Sequence, residues 1–345
     1  MIYEGNEGRR QACLHLLNAL LLLPPGQRLL WFSQEDSGWL LEDHAYFVTW
    51  QGKMLQVLEA GHSLHIHLWV SECQATMASM LRRWIPVCLS GNVEFSYEVR
   101  PTGEAGLYSI VLLEGYAGIF SMIPARDADR FTSIFTDSIT LKAMIHRYHS
   151  SVANSRHLFT AYTALEVTTV MERVRRLSQP SKRSYFYTSL PIGTVDMLIR
   201  HGMIDRPMLL QIEESGFLAG PRFGQGPPDS SAIREMACLP QVENALLQRE
   251  VFFPTLSVMT GRKVFLTAEQ YRAYLYGIAQ RLRESPYWEF GLLPRELMDA
   301  PRAGIWTNAE SVAALWLTHP DCRILTMQDP VMISALVGGL DSDWN

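Results

Sequence analysis

Several things are scarce in this sequence. Only four lysines occur in 345 residues, and the 30 Lys+Arg are outweighed by 35 Asp+Glu, for a formal net charge of -5. A chain so balanced is no dedicated polycation and has no overall pull toward nucleic acid. Five cysteines are scattered at 13, 73, 88, 238 and 322, with no CxxC spacing, so neither a structural zinc site nor a redox motif is written in them. They read as reduced thiols of a cytoplasmic protein. No G-x-x-x-x-G-K-[ST] loop, no G-x-G-x-x-G after a strand, no G-x-S-x-G elbow and no H-E-x-x-H is present. Gly224-Gln225-Gly226 lies in a proline-rich stretch with no strand before it. No apolar run approaches the about 20 residues that span a bilayer. Arg9-Arg10 ahead of Leu16–Leu23 has the outline of a secretory leader, but His15 and Asn18 interrupt the run and no A-x-A site follows. A buried helix ending before Pro24-Pro25 is the better reading.

With 48% hydrophobic and 19% charged residues, the composition is that of a globular protein able to bury a sizeable core. The patterns alternate between helix and strand. Helix 9–23 precedes an apolar strand at 28–33; a helix opened by Asp43 or His44 runs to Gly61; an alternating strand covers 63–70. A helix at 73–85 is expected to stop near Pro86, followed by strand 93–99 and a hairpin of 107–113 with 117–123 about Glu114-Gly115. Residues 127–178 carry helical periodicity. Tyr185–Tyr187 reads as a strand, helices are expected at 194–202 and 205–216, and 216–230 is the clearest loop. Thr267-Ala268-Glu269-Gln270 forms a capping box for a helix to Glu284. Short strands at 287–293, 304–307, 313–317 and 323–327 and a last helix from Asp329 complete the chain. The class is therefore α/β, with a mainly parallel sheet expected. Two related halves, 1–126 and 184–345, are expected around a helical connector at 127–183. Helix 46–60 into strand 64–70 is matched with helix 268–284 into strand 287–293.

Few residues announce chemistry. His65-x-His67 places two imidazoles on one strand face, and with His62 and Cys73 this is the candidate for a shared metal; hydrogen-bonded histidines are the plainer reading. His146-x-x-His149 lies one helical turn apart with no acid beside it. Asp127-Ala128-Asp129 fits helix capping. Arg173, Arg175, Arg176, Lys182 and Arg183 cluster about a helix end and its loop, where they can answer the helix dipole or hold an anion.

The segment order carries a resemblance. Leu29-Leu30-Trp31-Phe32-Ser33-Gln34-Glu35-Asp36 with Trp39–Asp43, Gly61–His67, Arg83-Trp84-Ile85-Pro86-Val87-Cys88-Leu89-Ser90-Gly91, Leu266–Leu275 and Ser285-Pro286-Tyr287-Trp288 resemble the C-terminal region of clostridial Xre-type regulators. That region is similar to a two-halved phospholipase D-like fold without catalysis. About eight residues precede the first helix here, so the family's helix-turn-helix finds no counterpart and direct DNA binding is not expected of this chain. None of the ten histidines has Lys two residues on, which removes the nucleophile–cation pair of the phospholipase D reaction.

The resemblance implies a non-catalytic sensor or interaction module of a bacterial regulator, without cofactor, metal or membrane contact. It would take a small molecule or protein partner in the cleft between its halves and is a candidate homodimer. Ser33, Glu35, His65, His67 and Tyr187 are the expected ligand residues, chosen as polar groups near strand ends. Arg173, Arg175, Arg176 and Arg183 are the expected anion-binding set. A metal-dependent phosphodiesterase using His65 and His67 is the alternative.

Overall fold

In the computed structural model the described residues are 2–35, 38–71, 73–100, 107–123, 130–153, 155–163, 166, 170, 184–188, 207, 233–253, 263–284, 288–295, 303–308, 311–317 and 323–344. They fall into two units, Met1–Phe159 and Thr160–Asn345. Of the expected connector at 127–183, residues 131–135 and 156–157 join the sheet of the first unit and residues 160–163 that of the second.

The first unit opens with β1 (Ile2–Glu4) and α1 (Gly5–Leu21), then β2 (Arg28–Ser33), α2 (Gly38–Leu41), α3 (His44–Glu59), β3 (Ser63–Ser71), α4 (Gln74–Ser90) and β4 (Val93–Arg100). It continues through β5 (Leu107–Leu113), β6 (Ala117–Ile123), β7 (Phe131–Phe135), α5 (Ser138–Val152) and β8 (Arg156–His157). Asp43 caps α3 by accepting from the Tyr46 N–H at 3.0 Å. The sheet order is β1-β7-β6-β5-β2-β3-β4-β8. Only β2, β3 and β4 run parallel to one another; every other pairing is antiparallel. The sheet is thus mixed, not mainly parallel.

Both faces are covered. Trp31 meets Trp50 of α3 and Trp84 of α4 at ring separations of 5.9 and 5.7 Å. On the opposite face Leu30, Phe32, Ile110 and Leu112 pack under Leu141, Met144 and Tyr148 of α5. Several elements depart from the expected reading. Pro86 lies inside α4. A proline there forfeits one helical hydrogen bond and costs about 3 kcal/mol, which burial of Ile85, Val87, Cys88 and Leu89 around it offsets. Residues 131–135 form a strand where helix was expected, because Phe131-Thr132-Ser133-Ile134-Phe135 pairs on both sides, with β6 and with β1.

The second unit contains β9 (Thr160–Thr163), β10 (Ser184–Thr188), β11 (Ile233–Cys238), α6 (Leu239–Leu247), β12 (Glu250–Phe252), β13 (Phe265–Thr267) and α7 (Ala268–Glu284). Then come β14 (Trp288–Leu293), β15 (Ala303–Thr307), β16 (Ala313–Leu317), β17 (Arg323–Met327) and α8 (Pro330–Trp344). The capping box closes in both directions: Gln270 N–H donates to Thr267 Oγ1 at 3.2 Å and Thr267 N–H donates to Gln270 Oε1 at 2.9 Å. Asp329 accepts from the Val331 and Met332 N–H groups at the start of α8. The sheet order is β14-β11-β10-β15-β16-β17-β9.

This is the order and strand direction of β4-β3-β2-β5-β6-β7-β1 in the first unit, with β10, β11 and β14 parallel and the rest antiparallel. The two units are therefore one topology used twice. The matched register differs from the expected one: α7 into β14 answers α4 into β4, one helix–strand step later than α3 into β3. The hairpin of β12 with β13 is an insertion in that step. Helices expected at 194–202 and 205–216, and the loop at 216–230, lie outside the described residues apart from single positions.

Candidate functional site

The five expected ligand residues go to three places. Ser33 and Glu35 come together at the end of β2, on the face covered by α1. His65 and His67 lie on the opposite face, under α5. Tyr187 is buried in β10 of the second unit, paired with Met236 and Ile305. Arg173, Arg175, Arg176 and Arg183 lie outside the described residues.

The Ser33 corner is built by cross-strand register. Ser33 pairs with Ser109, Ser109 with Ser121, and Ser121 with Thr132. Directly paired residues share a face, so four hydroxyls form one row across β2, β5, β6 and β7, and all four are buried. Ser121 and Thr132 bond each other at 2.7 Å. Buried hydroxyls need partners, and α1 brings one: Arg9 Nη2 donates to Ser109 Oγ at 2.8 Å. Its guanidinium lies 3.9 Å from the Trp39 ring centroid and pairs with Glu35.

From the far side Arg130, placed by the Gly5 N–H bonding its carbonyl at 2.8 Å, forks onto Glu35. Nη1 donates to Oε1 at 2.8 Å and Nη2 to Oε2 at 2.9 Å. The Glu35 side chain is 11% exposed, against 2% for Arg9 and 3% for Arg130. The chain after β2 is pinned by local bonds. Glu35 N–H donates to Ser33 Oγ at 3.4 Å, and Tyr108 N–H donates to Gln34 Oε1 at 3.1 Å.

Electrostatics follow from burial. Desolvation, with nearby Arg130 adding to it against Cys13 and Tyr46, lowers Arg9 to about 9, which leaves it a cation at neutral pH. Burial pushes the Cys13 thiol up to about 11 and raises Tyr46. Arg10 is occupied structurally: Nε and Nη2 donate to the Trp39 carbonyl at 3.1 and 2.7 Å, and it pairs with Glu42. The corner holds fixed cations beside hydroxyl donors, the chemistry of oxyanion binding. Ser109 faces a guanidinium and so gains no base to make it a nucleophile.

The histidines are engaged elsewhere. His65 Nδ1 meets Glu94 Oε2 at 2.9 Å, and burial lowers its pKa against the opposing pull of Glu94. His67 stacks on Phe32 at 5.5 Å and shares a 3.0 Å hydrogen bond between Nδ1 and Ser96 Oγ. Its Nε2 is buried without a partner among the described residues, and desolvation holds the ring down to about 4. His62 accepts from the Gln27 N–H at 3.2 Å; Cys73 is exposed at the start of α4. Among the described residues no group of three or more His, Cys, Asp or Glu is placed to hold a metal ion. His146 and His149 are exposed on α5.

The second unit has the same row in a different state. Thr188, Gly304, Trp316 and Ile324 pair in series, ending at Tyr162 as the first row ends at Tyr3. Trp316 lies so close over Gly304 that a Cβ there would stand 2.2 Å from the indole. Phe186, Trp306 and Val312 complete an apolar cluster around it. On the other face Arg234 donates to Glu289 at 2.6 Å and Asp341 at 2.7 Å, at the register position of the His65–Glu94 pair.

Arg9, Arg130, Ser109, Ser121 and Thr132 were not singled out as site residues from sequence. The available signal was hydroxyls interrupting otherwise apolar strands, but only register shows that they share a row.

No protein-family model matches the chain, and no curated protein is significantly similar. Among solved structures, the archaeal chromatin protein TrmBL2, described with a novel mode of DNA binding, is similar at 9% identity over 46% of this chain and 52% of its own, with a TM-score of 0.32. Polyphosphate kinase from Porphyromonas gingivalis is 8% identical over 100% of this chain and 50% of its own, with a TM-score of 0.30. Yeast tyrosyl-DNA phosphodiesterase is 10% identical over 92% of this chain and 88% of its own, with a TM-score of 0.27. The chain spans about half the length of the first two. Similarity at this level decides neither membership nor activity. Among the described residues no helix is long and apolar enough to cross a membrane.

Proposed function

We propose that this chain is a non-catalytic ligand-binding module of a bacterial, transcription-associated regulator, and that its ligand seat is the Arg9–Glu35–Arg130 corner of the first unit. The supporting observation is the buried pairing of two guanidiniums with one carboxylate beside a row of hydroxyls. It lies at the carboxyl end of the parallel strand β2, where α/β sheets take their ligands. The regulatory context rests on the sequence resemblance.

Thermal-shift screening of the full chain with metabolites, nucleotides and peptides tests the reading. A saturable shift that Arg130→Gln weakens supports it, and silence across a broad library contradicts it. The alternative, a metal-dependent phosphodiesterase on His65 and His67, predicts stoichiometric metal in purified protein that a His65→Ala/His67→Ala variant loses.

A further inference from the structure

We infer that the Glu35 carboxylate is an internal occupant of this seat, holding Arg9 and Arg130 until a small oxyanion from solution takes its place. The inference rests on the ligand-binding reading above and adds its ligand class and its control. Glu35 sits on Arg130 as a free carboxylate would, one oxygen to each Nη at 2.8 and 2.9 Å, and pairs with Arg9 as well. It is carried on a short tether two residues beyond Ser33, the last residue of β2. It is also the solvent-reaching member of the three, with both guanidiniums sealed behind it.

Beyond Arg9 the buried polar row continues through Ser109 to Ser121 and Thr132. In the second unit the register-matched places are Gly304, Trp316 and Ile324, which close the row with an aromatic ring. A core that needed only filling could have been closed the same way in both units. Exchange of one oxyanion for another keeps the two buried cations paired, so it avoids the large cost of removing the carboxylate with no replacement. The seat is thus shut when empty of ligand and opens when the one tethered side chain gives up its contacts with Arg9 and Arg130.

The test uses the full chain and thermal unfolding in sodium sulfate, phosphate or acetate against sodium chloride at matched ionic strength. Glu35→Gln vacates the charge; its melting temperature should fall in chloride and recover saturably with an oxyanion, at about tenfold lower concentration than wild type requires. Adding Arg130→Gln should erase the gain. A better response to acetate identifies a carboxylate ligand, and a better response to sulfate or phosphate a tetrahedral one. If Glu35→Gln fails to fold, Glu35→Asp, too short to fork Arg130, is read by the same criterion. Wild-type arginine side-chain resonances titrated with whichever of acetate, sulfate and phosphate gives the larger response are a further readout, in which Arg9 and Arg130 should shift saturably.

Equal responses of variant and wild type to oxyanion and chloride, a gain that survives Arg130→Gln, or unmoved Arg9 and Arg130 resonances would overturn the inference. A library ligand that binds wild type and Glu35→Gln equally well would leave the proposed function standing and remove only the role given to Glu35.

Discussion

The two units use one strand order for opposite purposes. In the first, the row beginning at the end of β2 is Ser33, Ser109, Ser121 and Thr132, topped by Arg9 and Arg130 on Glu35. In the second, the matched row is Thr188, Gly304, Trp316 and Ile324, of which Trp316 and Ile324 pack into an apolar cluster. On the reverse face, His67 stands where the second unit has the buried Met236, since each pairs with the residue before the last of its neighbour strand, Phe32 or Tyr187. Fold and site are therefore separable: identical register supports either a polar corner or an apolar plug, and the side chains alone decide which.

The largest effect belongs to the plug. Trp316→Ala removes an indole with Gly304 beneath it and should cost about 4 kcal/mol of unfolding free energy, as buried Trp→Ala changes do; denaturant titration of the full chain reads it. A cost under about 1 kcal/mol would mean the second row is not packed as described.

Next is acid sensitivity. The folded pKa of His67 lies near 4, below the about 6.5 of an unfolded histidine, so the unfolded chain binds the extra proton between those values. The stability held by the neutral ring is complete above pH 6.5 and is lost as pH falls toward 4, by about 3 kcal/mol at most. His67→Met, which copies the second unit, should flatten that part of the stability–pH curve. An unchanged slope in the variant would assign the acid sensitivity to other groups.

A smaller effect is expected at the polar row. Ser109→Ala leaves Arg9 Nη2 without its hydroxyl and should cost about 1 to 2 kcal/mol. A cost near zero by denaturant titration would mean that the row is not engaged by Arg9 as described. The smallest is Thr267→Ala, which breaks the capping box of α7 for about 1 kcal/mol; a far-ultraviolet melt detects it.

How much of this was readable beforehand varies with the physics involved. Local signals read well. Asp43 caps its helix, Thr267 and Gln270 close their box, and the hairpin turns at Glu114-Gly115, where Gly115 takes φ 79°. Long-range compensation did not read. Pro86 ends a helix on local grounds, and only core packing carries α4 past it. Residues 131–135 look helical until two neighbouring strands claim them. Repetition of the α/β rhythm was visible, yet its register was one helix–strand step out, because the β12–β13 insertion shifts α7 in sequence but not in topology.

The site read least well. Ser33 and Glu35 were chosen for their place near a strand end, but Arg9, 26 residues upstream of Glu35, read only as the start of a buried helix. Nothing local pairs a helix arginine with Arg130, 95 residues beyond Glu35; that pairing is made by the sheet.

The most direct measurement gives the first unit the second unit's row. In Ser109→Gly/Ser121→Trp the hydroxyls become the glycine-and-indole pair of Gly304 and Trp316. Calorimetric titration with a ligand found on wild type should show a saturable heat there and none in the folded variant. Equal affinity in both would contradict the placement of the ligand seat at this row.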